Sequence, residues 1–77
     1  MKRYRNLAGH SGVVAYEIGA ESIAVKFDGG DVYEYDYARP GRAHVEEMKR
    51  RAEAGQGLST YIAQHVREAY AGKRPAR

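Results

Sequence analysis

The run DVYEYDY, Asp31 to Tyr37, sets three tyrosines at alternate positions with acidic residues between them. In a strand, successive side chains point to opposite faces, so Tyr33, Tyr35 and Tyr37 share one face and Val32, Glu34 and Asp36 share the other. The rings are therefore either a platform on which a ligand stacks or the inside of the protein. Two earlier runs decide between these. SIAVKF (Ser22 to Phe27) alternates Ile23, Val25 and Phe27 with Ser22, Ala24 and Lys26, and GVVAYEI (Gly12 to Ile18) places Val14, Tyr16 and Ile18 together. Period-two patterning of this kind predicts three half-buried antiparallel strands. Were the tyrosines exposed, the sheet would offer only Val13, Ala15, Ala24 and Val32 to a covering layer, too little apolar area for so small a domain. The rings read as core, with Tyr37, last in the run, expected at the rim where its hydroxyl can find a partner.

Phase also constrains the turns, because residues opposite each other in an antiparallel pair share a face. The apolar positions pass from even to odd numbers between the first two runs, which requires an even loop: Gly19-Ala20, or Gly19 to Ser22. Between the second and third runs the loop must be odd. Asp28 to Gly30 or Gly29 to Asp31 both fit, and the latter would set Lys26 across from Glu34. A two-residue Gly29-Gly30 turn is rejected, since it would oppose Val25 to Glu34.

Helical spacing takes over in the second half. Pro40 suits a first helical turn and Gly55 a terminating position. Between them Val45, Met48 and Ala52 form a narrow apolar stripe, and Glu46–Arg50 and Glu47–Arg51 stand at the favourable i, i+4 spacing. A second helix is expected after Gly57, with Ser59 or Thr60 as N-cap and Leu58, Ile62, Val66 and Ala69 facing inward, flanked by Tyr61 and Tyr70 and ending at Gly72. An apolar sheet face needs a cover and the helices need a floor. The expected fold is thus α+β: a two-layer β-β-β-α-α domain, a three-stranded antiparallel meander covered on one face by two helices. Its first and third strands would be edges, the first poorly protected.

Seventy-seven residues bound this as one domain: a basic segment over 1–10, the folded unit over 11–72 and a frayed basic tail over 73–77. The chain has no cysteine, which removes disulfides and thiolate metal sites. No apolar run approaches the roughly 20 residues that span a bilayer. The basic start lacks the apolar stretch of a signal peptide, so a cytoplasmic location without membrane contact is expected. The net charge of +3 is segregated: residues 1–10 carry +3, residues 11–38 carry −5 and residues 39–77 carry +5. Phosphates would seek the ends and avoid the middle.

The order AYEIGAESIAVKFDGGDVYEYDY, a helix, then AEAGQGLSTYIAQHVREAY resembles the KTSC domain, a small family found at the C-terminus of some lysyl-tRNA synthetases and as stand-alone bacterial and phage proteins. The resemblance runs from about Ser11 to Tyr70. It rests on Tyr33-Glu34-Tyr35, the preceding VKFDGG and the glycine-rich turn into a helix ending in tyrosine. Many members read A-x-S-x-G at that turn, where this chain has Ala54-Gly55-Gln56-Gly57. The resemblance implies a fold and no reaction. RNA binding has been suggested for the family by association with the synthetase.

Candidate sites follow from charge and spacing. Arg42, Lys49, Arg50 and Arg51 on the first helix, with Lys73 and Arg74 in the tail, form the expected nucleic-acid-binding set, the alternative being a solvated face neutralised by Glu46, Glu47 and Glu53. His10, His44 and His65 lack metal-site spacing, although His44 and His65 could meet between the helices. Ser11, Ser22 and Ser59 have no local base, and the acids lie mainly on a solvated face, so neither catalysis nor a cofactor is expected. FDGGD reads as a hairpin loop, and EAGQGL as a weak anion site at most. The expected function is a non-enzymatic binding module with weak affinity for RNA or another nucleic acid. The alternative is a protein-interaction or accessory module, using the first strand's edge or a groove between helices. A monomer is expected over a homodimer.

Overall fold

The computed structural model describes residues 1–9 and 11–75. His10 and the last two residues of the basic tail lie outside the described residues. The chain forms β1 (Lys2–Arg3), β2 (Val13–Ile18), β3 (Ser22–Phe27), β4 (Val32–Asp36) and α1 (Arg42–Ala54). A second helix, α2 (Leu58–Tyr61), continues as a π-wound turn over Ile62–Val66, and β5 (Gly72–Arg74) closes the described chain. The fold is α+β, with a five-stranded antiparallel sheet in sequence order.

The central meander has the expected phase. Val25 opposes Tyr33 and Ile23 opposes Tyr35. The β3–β4 loop is Asp28 to Gly30, closed by the Phe27 N–H donating to Asp31 O at 2.9 Å. This register sets Lys26 across from Val32 instead of Glu34. Ile18 pairs with Ile23 across the longer of the two permitted turns, Gly19 to Ser22.

Four features depart from the sequence reading. First, the register shifts between Val13 and Ala15. This bulge leaves Val13 buried and Val14 39% exposed, because one extra residue reverses the alternation on one side of it. Ile18, at the end of its strand, is 37% exposed. Second, the basic start is part of the fold. Lys2 pairs with Tyr16 and Arg3 with Ala15, and Tyr4 is buried in the core. Third, the second helix stops at Val66, six residues early, and its N-cap is Gly57 instead of Ser59 or Thr60. The Arg67 N–H bonds back to Ile62 O, the chain turns there, and the Ala71 N–H donates to Glu34 O. Continuing the helix would have left the backbone of β4 unpaired along its edge; turning back supplies it with β5. Fourth, Lys73 and Arg74 are consequently strand residues and not a frayed tail. The sheet has five strands where three were expected, and its edges are two short, charged strands.

One layer of core joins sheet and helices. Ile23, Val25 and Tyr35 meet the α1 stripe Val45, Met48 and Ala52, and Leu58, Ile62 and Val66 complete it from the second helix. Tyr35 is 1% exposed. Tyr33, Tyr37 and Phe27 pack against the core from its margins and are only partly buried. The rings of the DVYEYDY run therefore turn toward the helices, and the two outer ones reach solvent.

Candidate binding surfaces

The six predicted phosphate ligands fall on two separate elements. On α1, Lys49 bonds Glu46 at 3.0 Å and donates to the Ala20 carbonyl at 3.1 Å, and its side chain is only 12% exposed. Arg50 and Arg51 both pair with Glu47. Glu46 thus turns to Lys49 and not to Arg50, while the Glu47–Arg51 pair forms as spacing predicts. On β5, Arg74 pairs with Glu34 at 3.1 Å, and Lys73 stands 3.9 Å from Asp31. Arg42 alone of the six makes no ion pair among the described residues; its guanidinium lies 5.6 Å from the centroid of the Tyr37 ring. Register places Arg74 opposite Val32, on the face of the sheet away from α1, so Arg74 does not share a surface with the helix cations, whereas Lys73, opposite Tyr33, lies on the other face.

Tyr37 is the rim residue that strand phase predicts. Asp36 accepts the Ala38 and Arg39 N–H groups at 3.0 and 2.9 Å, turning the chain from β4 toward α1. This brings the Tyr37 hydroxyl to Glu46, to which it donates at 2.7 Å. That bond, together with Lys49, holds the Glu46 carboxyl below its ordinary value, and the same bond pushes the Tyr37 phenol up. A depressed carboxyl contributes stability that is present above the unfolded value and lost as pH falls through the folded one. Because Glu46 is solvated, the contribution is small. Tyr37→Phe is expected to move the Glu46 titration midpoint back toward the ordinary 4.5, read from side-chain carboxyl carbon shifts. An unmoved midpoint would show that the hydroxyl does not stabilise the anion.

The two helices do bring His44 and His65 together. His44 Nδ1 and the Tyr61 hydroxyl are 2.7 Å apart, and the Tyr61 and His65 rings stack with centroids 4.5 Å apart. The Arg51 guanidinium covers Tyr61 at 4.9 Å. Among the described residues, no group of three His, Cys, Asp or Glu is placed to hold a metal. Two donors of the EAGQGL turn are engaged: the Gly55 N–H bonds the Arg51 and Ala52 carbonyls, and the Leu58 N–H donates to the Tyr4 hydroxyl at 3.2 Å.

A feature that the sequence reading missed lies at the other end of the sheet. Between the β3–β4 hairpin and the π-turn runs a groove of about 620 Å³. Phe27, Tyr33 and Tyr70 wall it in two edge-to-face contacts, at 5.3 and 4.9 Å between centroids. Tyr35 reaches it from the core, and Ile62 and Ala63 line its helical side. Asp28, Asp31 and Glu68 stand around it with one cation, Arg67. Tyr70 was assigned to a helix that does not extend that far; without the β5 return nothing in the sequence sets it against Tyr33. No family model, curated protein or solved structure matches the chain. Among the described residues, no helix is long and apolar enough to cross a membrane.

Proposed function

We propose that the chain is a non-enzymatic binding module that recognises a segment of a protein partner through the aromatic groove. The groove carries this reading: its volume of about 620 Å³ lies within the range of ligand-binding clefts, roomy enough for a side chain with its flanking backbone, and a ring-lined wall with a few polar groups is their usual construction. Two further observations support it. The outer edge of β2 is covered by Lys2 and Arg3, which leaves the groove as the open surface for a partner. Five of the six candidate phosphate ligands are already matched to the chain's own carboxylates, which weakens the field that a nucleic acid would meet.

A nucleic acid is the second reading, favoured by one observation. Arg42 makes no ion pair among the described residues and lies beside the Tyr37 ring, and the first turn of α1 holds no acid, so a phosphate there would meet a favourable helix dipole. The KTSC resemblance bears on fold and leaves both partners open.

Amide-shift titrations separate them. Extended heptapeptides of varied sequence are expected to shift Tyr33, Ala63 and Tyr70, unaffected by Arg50→Glu with Arg51→Glu. A decauridine oligonucleotide at low salt is expected to give weak shifts near Arg42 that added salt abolishes. Oligonucleotide binding tighter than that of any peptide, with α1 responding, would replace the first reading with the second.

A further inference from the structure

We infer that the groove holds the guanidinium of an arginine in an extended partner segment, packed among Phe27, Tyr33 and Tyr70, bonded to the Tyr35 hydroxyl and balanced by Asp28 and Glu68. This rests on the groove being the binding site and adds the chemistry of what enters it.

The rings supply the first argument. An aromatic face is negative, and a cation within about 6 Å of the centroid is attracted to it. This chain uses the contact repeatedly on itself: Arg51 lies over Tyr61, Arg42 over Tyr37, and Lys73 at 5.3 Å over Tyr33. The Tyr33 ring is thus already an ammonium-binding surface. Its edge-to-face contacts with Phe27 and Tyr70 gather three differently oriented rings along one groove.

The second argument is Tyr35. Its side chain is 1% exposed and lines the groove, yet among the described residues its hydroxyl has no hydrogen-bond partner. No fully buried side-chain polar atom is left unsatisfied, so this hydroxyl is not sealed off; the phenol lies beside Tyr33 and Tyr70, which wall the groove. Burial, with Tyr33 and Tyr70 beside it, pushes the phenol up to about 12; at neutral pH it is a neutral hydroxyl whose oxygen accepts an N–H. A buried phenol usually has such a partner, and a ligand N–H entering the groove can provide it in place of solvent.

Charge is the third. Asp28, Asp31 and Glu68 against Arg67 give the lining a formal charge of −2, or −1 with Lys73 over the Tyr33 ring included. Asp31 is coupled to Lys73, whereas Asp28 and Glu68 make no ion pair among the described residues. Phosphate is repelled from such a site and a cation is drawn to it. Guanidinium suits it better than ammonium, being planar, less strongly hydrated, able to stack on a ring and still present N–H donors at its edge.

The probes are acetyl-Gly-Arg-Gly-amide and its citrulline counterpart, which keeps the shape and most donors but loses the charge. Amide shifts at Tyr33, Tyr35, Ala63 and Tyr70 are expected to saturate with the arginine peptide, with an affinity about tenfold above that of the citrulline peptide. Asp28→Asn with Glu68→Gln, both on the surface, should remove most of that tenfold, weakening the arginine peptide far more than the citrulline peptide. Tyr35→Phe should weaken the arginine peptide about threefold with the far-ultraviolet spectrum retained. Equal affinity for the two peptides would overturn the arginine assignment while leaving the groove as a peptide site. Shifts that never saturate, or that fall away from the groove with heptapeptides as well, would remove both.

Discussion

Tyr4→Ala is expected to lower folding stability by about 3–5 kcal/mol, the range for deleting a buried aromatic side chain. Against the roughly 5–15 kcal/mol that holds a domain folded, this would leave a substantial unfolded fraction under mild denaturant. The effect has two parts. Tyr4 is 3% exposed within the core cluster, so its removal opens a cavity between β1 and the second helix. Its hydroxyl also accepts the Leu58 N–H at 3.2 Å, one of the donors that a helix leaves unpaired in its first turn. Tyr4→Phe isolates that part and should cost about 1–3 kcal/mol, the price of a buried donor left without a partner. Urea unfolding followed by circular dichroism reads both. A Tyr4→Ala midpoint indistinguishable from wild type would mean that the first residues merely lie on the domain.

This expectation runs against the composition of the segment. Residues 1–10 contain Lys2, Arg3 and Arg5 and read as a solvated basic head. What seats the segment is a single buried ring, together with backbone bonds: the β1–β2 pairing, the Tyr4 N–H to Val14 O at 2.9 Å and the Leu7 N–H to Gly55 O at 2.7 Å. A two-residue strand is too short for period-two patterning to reveal it, and its partner becomes visible only once the β2 edge exists. The same holds for β5, whose three residues Gly72, Lys73 and Arg74 carry no apolar alternation at all. By contrast, the phase of the three central strands and the Val45, Met48, Ala52 stripe were legible, because each is a repeated local pattern on a face that must be buried. The bulge at Val13 was not. It inverts the alternation within one run, and both Val13 and Val14 are apolar, so composition cannot choose which of them turns inward. The candidate site divides in the same way. Rim placement of Tyr37 follows from strand phase. The groove instead needs Tyr70, a residue that reaches Tyr33 only through the return of the chain as β5.

Gly55→Ala should destabilise by about 2–5 kcal/mol, combining left-handed strain with overpacking. Gly55 ends α1 at φ 76°, and its N–H bonds to the Arg51 and Ala52 carbonyls. A side chain in that conformation is strained by itself. Space adds to it here: an added Cβ would stand 2.8 Å from Arg5 Cβ and 3.0 Å from Arg5 Nε. The Gly55 carbonyl meanwhile accepts the Leu7 N–H at 2.7 Å, so relieving the clash by moving the N-terminal segment would break that bond and draw Tyr4 out of the core. Gly9→Ala supplies the control. Its φ of 82° is equally left-handed, but nothing lies within 4 Å of the added atom, so it should cost only the strain, about 1–2 kcal/mol. The difference between the two measures how firmly the N-terminal strand is pressed on the helix–helix joint. Combining Gly55→Ala with Tyr4→Ala should then cost less than the sum of the two, since both loosen one contact. Equal losses for Gly55→Ala and Gly9→Ala, or strict additivity in the double variant, would separate the N-terminal strand from the joint and leave Gly55 as a helix terminator alone.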